Sequence, residues 1–108
     1  MGYHEYQKCI DACLKCASTC NHCASSCLSE QDVKMMAKCI QMDMECAALC
    51  YAAARLMSLG SAHAKAICKL CAEICKASAE ECKKHNNDHC QECADACSKC
   101  ADECLKML

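Results

Sequence analysis

The sequence predicts an all-α protein, an antiparallel up-down-up-down four-helix bundle with a cysteine-lined core. Three observations carry that expectation. The 108 residues contain no proline, phenylalanine or tryptophan and only two glycines, Gly2 and Gly60. Ala, Lys, Glu, Met, Leu and Gln dominate what is not cysteine, a composition that favours helix over strand. The eighteen cysteines recur on a heptad rhythm, and in the first segment Cys9, Cys13, Cys16, Cys20, Cys23 and Cys27 follow steps of 4, 3, 4, 3 and 4. A helix turns about 100° per residue, so these steps hold the thiols within an arc of roughly 80°. That arc is the face a bundle normally fills with leucine. Finally, the breaks between periodic segments are short, which makes sequential helices antiparallel.

The elements follow in order, as one domain over 1–108. The first helix is expected over about 5–28. Ser29-Glu30-Gln31-Asp32 reads as a capping turn, with Ser29 as N-cap, ahead of a second helix over about 31–59. Gly60 suits the left-handed position that closes that helix. Ser61 then caps a third helix over about 61–84. His85-Asn86-Asn87-Asp88 forms the last turn, where Asp88 and Gln91 have capping-box spacing for a fourth helix over about 88–107. Helices of this length span about 35 Å.

The segments are weak internal repeats of one another. The fourth carries Cys90, Cys93, Cys97, Cys100 and Cys104; the third carries Cys68, Cys71, Cys75 and Cys82, with Ser78 at the missing heptad position. The second is poorest, with Cys39, Cys46 and Cys50, and Met42 and Met57 lie on its thiol face as gap-fillers.

Composition also excludes function classes. A net charge of −2, from twelve Lys and Arg against fourteen Asp and Glu, offers no basic surface for nucleic acid. No apolar run reaches the length of a membrane span. Met1 to Tyr6 lack the pattern of an export signal, so a cytoplasmic protein with reduced thiols is expected. Large aliphatic residues are scarce, so an ordinary apolar core would be thin.

The thiols themselves point to soft metal. Seven Cys-x-x-x-Cys pairs occur. Residues four apart on a helix have Cβ atoms about 5–6 Å apart, against ~3.8 Å in a disulfide. Two opposed metal–thiolate bonds span roughly 4.6 Å, which suits an ion held by both members of a pair. Thiolates select Cu(I), zinc or iron–sulfur clusters. Structural zinc favours closed four-ligand sites built from separated knuckles. One Cu(I) per thiolate is neutral, whereas a zinc held by four thiolates leaves a net negative charge in a dry interior. Cysteine-rich loops for an iron–sulfur cluster are absent from the pattern. The expectation is storage of multiple Cu(I) ions per chain on all eighteen cysteines. A zinc or mixed soft-metal, metallothionein-like buffer and a thiol redox protein are the alternatives. No thiol stands out with a single activating base, so no enzyme is expected.

Antiparallel connectivity sorts the two ends. One gathers Tyr3, Tyr6, Leu56, Met57, Leu59, Ile67, Leu105, Met107 and Leu108 and reads as an apolar plug. The other gathers Cys23, Cys27, Cys39, Cys82 and Cys90 with His22, His85, His89, Met35 and Met36. Copper is expected to pass through this second end, with those histidines and methionines, and Met42, as auxiliary ligands. His4 and His63 read as solvent-exposed.

With these residues placed, the chain resembles the bacterial copper storage proteins, in particular their cytosolic branch. The resemblance covers essentially the whole chain. It is carried by Cys9-x-x-x-Cys13-x-x-Cys16-x-x-x-Cys20-Asn21-His22-Cys23, by Asp43-x-x-Cys46-x-x-x-Cys50, by Ile67-Cys68-x-x-Cys71-x-x-x-Cys75, and by His85-x-x-x-His89-Cys90-x-x-Cys93-x-x-x-Cys97. It implies a four-helix bundle whose core fills with Cu(I), assembly into homotetramers, and a role in sequestering cytosolic copper. Ser78 stands where some relatives carry a cysteine.

Overall fold

A computed structural model describes residues 3–108. Four α-helices follow one another: α1 Tyr3–Leu28, α2 Ala37–Ser58, α3 Ala64–Lys83 and α4 Asp88–Lys106, with a short 3-10 turn, Val33–Met36, before α2. They form a rod of 46 × 17 × 17 Å. Each helix packs against its two neighbours around a square, α1 against α2 and α4, and α3 against α2 and α4. The thiols report the register directly. Along α1 and α4 the contacts run Cys9–Cys104, Cys13–Cys100, Cys16–Cys97, Cys20–Cys93 and Cys23–Cys90. One number rises as the other falls, so the pair is antiparallel. Along α2 and α3 they run Cys39–Cys82, Cys46–Cys75 and Cys50–Cys71 in the same sense.

The core is made of small residues. All eighteen cysteines are buried and free of disulfides. Alanines such as Ala17, Ala47, Ala72, Ala94 and Ala101 flank the sulfur stripe and are also buried. Larger side chains concentrate at one end, where Tyr6, Ile10 and Met57 are buried and Ile67 and Met107 pack against them. This plug is smaller than the sequence suggests. Tyr3, Leu59, Leu105 and Leu108 are exposed, because they lie on the outer faces or beyond the last turns of their helices.

The turns depart from the expected caps. Ser29 ends α1 instead of starting α2: its amide donates to the carbonyl of Ser26. The next residues wind as a 3-10 turn, with the Met35 amide on the Asp32 carbonyl, so α2 proper starts at Ala37 and not near residue 31. Asp32 supplies no side-chain cap because its backbone is not extended there (φ −104°, ψ 70°). Ser61 accepts from the His63 amide in a local turn, which delays α3 to Ala64. The N-cap of α4 is Asn87, whose backbone is extended, rather than Asp88. Gln91 reaches back to the carbonyls of His85 and Lys83, so its amide ties the turn instead of closing a capping box.

Gly60 behaves as expected. Its φ of 66° lies in the left-handed region, and the Ser61 amide closes onto the carbonyl of Leu56. A side chain there meets a steric penalty of about 1–2 kcal/mol. Gly60→Ala is therefore expected to destabilise the reduced, metal-free protein by ~1 kcal/mol, measured by chemical unfolding followed through helical circular dichroism.

Candidate metal centre

Heptad spacing on four antiparallel helices brings the thiols into one continuous interior. The i, i+4 pairs Cys16/Cys20, Cys23/Cys27, Cys46/Cys50, Cys71/Cys75 and Cys93/Cys97 have sulfurs 3.8–4.0 Å apart. Contacts between helices are as close, from 3.3 Å for Cys46–Cys75 to 4.0 Å for Cys27–Cys90. These distances exceed a disulfide bond of about 2.05 Å and fall short of the roughly 4.6 Å spanned by two opposed metal bonds.

Quartets form where pairs from different helices meet. Cys16, Cys20, Cys46 and Cys97 make one; Cys16, Cys46, Cys50 and Cys75 another; Cys50, Cys71, Cys75 and Cys100 a third; Cys13, Cys71, Cys100 and Cys104 a fourth. Within each, all sulfurs lie within 4.8 Å of one another. Successive quartets share two cysteines, so they cannot each hold a separate ion on private ligands. Bridging thiolates are required to fill them together.

The mouth of the bundle is built differently. Cys23, Cys27, Cys39 and Cys90 gather there. His89 sits over them, its Nδ1 3.5 Å from the sulfurs of Cys23 and Cys90 and 3.9 Å from that of Cys27. His85 is half-buried and is held by Glu81, Nε2 to Oε2 at 2.9 Å. Met36 is buried and Met42 half-buried. His22 and Met35 point to solvent, because each falls off the sulfur stripe of its segment; Met35 is 67% exposed. His4 and His63 are exposed. Of the predicted auxiliary residues, His89 alone has a nitrogen within 4 Å of a thiol.

Three acidic residues at or near this end were not singled out by sequence reasoning as part of the site. Asp43 is fully buried in the core. It accepts from Cys93 at 3.2 Å, Cys82 at 3.5 Å and Cys39 at 3.9 Å. Its signal is present in the spacing: 39, 43, 46 and 50 follow the 4-3-4 steps, so Asp43 and not Met42 occupies the stripe position in α2. The α2–α3 register sets it opposite Ser78, whose hydroxyl is buried with no partner. Ser78 thus contrasts with Thr19 and Ser58, which donate to the carbonyls of Lys15 and Ala54. Glu81 is buried beside His85, with Lys84 and Lys38 ammonium groups 3.5 and 3.9 Å away. Burial opposes its charge, but the hydrogen bond from His85 and then the nearby positive charges hold its carboxyl below the usual range. Glu30 accepts from Asn87 at 2.6 Å, linking the α1–α2 and α3–α4 turns across the mouth.

Burial favours the neutral form of two mouth thiols, Cys27 and Cys90. Burial pushes the Cys90 thiol up to about 12, and any charge on the neighbouring Cys27 acts in the same direction. Burial likewise raises Cys27. Burial also raises Asp43, to about 7, and charge on Cys82 adds to the effect.

Comparison with known proteins now decides the family. The sequence profile described as Copper storage protein matches residues 3–108. The chain belongs to the copper storage protein family. Family relatives share the fold closely. The Cu(I)-bound copper storage protein BsCsp3 superposes with a TM-score of 0.91 at 46% identity, over 94% of this chain and 96% of that one. Metal-free Csp3 from Bacillus subtilis gives 0.90 at 47% identity, over 94% and 97%. The Streptomyces lividans protein Ccsp, loaded with 10 copper equivalents, gives 0.91 at 39% identity, over 94% and 81%. In sequence, the cysteine-rich protein YhjQ of Bacillus subtilis (strain 168) is 46% identical over 67 residues, a stretch spanning 62% of each protein.

The raised Asp43 sets a pH dependence. The folded carboxyl, near 7, binds its proton more tightly than the unfolded one, near 3.8. Below about pH 4 both are protonated and the group is neutral in its effect. Between about 4 and 7 the unfolded state alone ionises, so stability falls as pH rises, by on the order of 4 kcal/mol in all. Asp43→Asn is expected to flatten this slope, measured as the difference in unfolding free energy of the reduced, metal-free protein between pH 4.5 and pH 7.5. Ser78→Ala removes a buried, unpaired hydroxyl and is expected to stabilise the same protein by about 1–3 kcal/mol.

Proposed function

We propose that this chain stores Cu(I), with all eighteen cysteines as ligands, in the cytosol. The observation that carries the reading is the overlap of the buried sulfur quartets in a family member. Shared cysteines call for bridging thiolates and a metal of low charge. With one Cu(I) per thiolate the interior stays neutral, which a dry core requires. Separate zinc sites would need private quartets and would leave net negative charge in each. Cu(I)-bound BsCsp3 and copper-loaded Ccsp carry soft copper in the same architecture. The chemistry is storage: ions are taken up and held, and no bond in a substrate is made or broken.

Uptake exchanges protons for copper. The mouth thiols Cys27 and Cys90 are protonated at neutral pH in the metal-free state, so each engaged thiolate releases about one proton. His89, with Nδ1 over Cys23 and Cys90, is the auxiliary ligand at the mouth, and Met36 and His85 line the approach. The opposite end is closed by Tyr6, Met57 and Ile67, so cargo moves in and out past His89. Free thiols in this number need a reducing compartment, and a Streptomyces lividans relative is described as cytosolic. Assembly into a homotetramer is part of the proposal, supported by exposed Leu14, Met44 and Tyr51 along the outer faces of α1 and α2.

Anaerobic titration of the reduced protein with Cu(I) is expected to saturate at on the order of one ion per cysteine, with helicity unchanged and about one proton released per ion. Saturation at one or two ions, or preference for zinc in competition, would count against the reading. Ser78→Cys is expected to add about one further Cu(I) at saturation, read by metal analysis of the desalted protein. Sedimentation analysis of the metal-free and loaded forms tests the tetramer.

A further inference from the structure

We propose that Glu30 is a positioning residue for His89: its carboxylate keeps the imidazole proton on Nε2 and leaves Nδ1 as an open nitrogen ligand facing the mouth sulfurs. The inference deepens the copper-storage reading and rests on it for its purpose, but its geometry stands by itself.

The two ring nitrogens of His89 face opposite chemistries. Nδ1 lies among three thiols, 3.5 Å from Cys23 and Cys90 and 3.9 Å from Cys27. Nε2 is buried and has no hydrogen-bond partner among the described residues, and the charged group beside it is Glu30, with Oε2 3.9 Å away. A nitrogen can bind a soft cation only with its lone pair free. For Nδ1 that requires the proton on Nε2. A carboxylate accepts and does not donate, so a negative oxygen beside Nε2 favours that tautomer. Metal-binding histidines commonly donate their second N–H to such a group, and losing it costs about 10–100-fold in affinity or activity.

Glu30 is itself fixed. The same oxygen, Oε2, accepts from Asn87 Nδ2 at 2.6 Å. The link joins the turn after α1 to the turn before α4, and His89 is two residues beyond Asn87. His85 offers a finished version of the same arrangement. Its Nε2 donates to Glu81 Oε2 at 2.9 Å, which fixes the proton there and leaves Nδ1 without one in the neutral ring. Two histidines at the mouth thus each have a carboxylate oxygen near Nε2, at 2.9 Å for His85 and 3.9 Å for His89.

The test separates tautomer from storage. In the reduced, metal-free protein with ¹⁵N-labelled histidine, long-range ¹H–¹⁵N correlation is expected to place the His89 proton on Nε2. Glu30→Gln keeps an acceptor oxygen and is expected to retain that signature. Glu30→Leu is expected to shift the population toward the Nδ1–H form and to slow uptake of the first Cu(I) equivalent by about 10–100-fold, with capacity at saturation unchanged. Circular dichroism confirms that both variants fold. A wild-type His89 protonated on Nδ1, or an unchanged tautomer in Glu30→Leu, would overturn the proposal. If the tautomer responds as expected but the wild type takes up no copper, the storage reading fails and the positioning role survives.

Discussion

The dependence of everything else is on one packing constraint: sulfur must face sulfur across a closed helical square. Cysteine and alanine are small, so the interior they leave is narrow, and neighbouring sulfurs come to 3.3–4.0 Å both along and between helices. Leucine at the same positions would bury more apolar area per residue and stabilise the metal-free bundle further. The sequence forgoes that area. Aromatic and aliphatic bulk is confined to the Tyr6–Met57 end, where it seals the rod without occupying thiol positions.

That economy explains why oxygen in the core is sparse. Asp43 is tolerated because three thiols donate to it and because burial shifts its carboxyl toward the neutral form. Ser78 is tolerated at some energetic cost, since its hydroxyl has no partner. The two face each other in one layer between Cys39–Cys82 and Cys46–Cys75, and interrupt the sulfur ladder of α2 and α3 there. The α1–α4 side stays continuous through Cys20–Cys93.

Most of the fold was legible because the cysteine spacing is a geometric statement about one helix face, and four such faces with short turns admit few arrangements. The thiol face of each helix followed from spacing, and the antiparallel order from the short turns; which thiol meets which across helices did not. Cap positions were less legible. Ser29, Ser61 and Asp88 have good capping chemistry, but each turn satisfied its amides with backbone carbonyls or neighbouring side chains instead. At the mouth, His22 and His89 each precede a stripe cysteine and so fall slightly off the stripe, and it is the fold that turns His89 over the thiols. Glu30 and Glu81 were unreadable as site residues, because an acidic side chain on a helix end is ordinarily solvated and their partners lie across turns. Asp43 was the opposite case: its heptad position was in plain view, and a charged residue on an otherwise apolar stripe is itself a signal.

The even register of α1 against α4 carries a further implication for how such a molecule could change in evolution. Cross-section is pinned by side-chain size, so holding capacity cannot grow by widening the rod. It can grow lengthwise, since each added heptad in all four helices inserts another tier of thiols without disturbing those already there. Cargo number is then a property of rod length, and a family built this way could tune its reserve by insertion or deletion in units of seven.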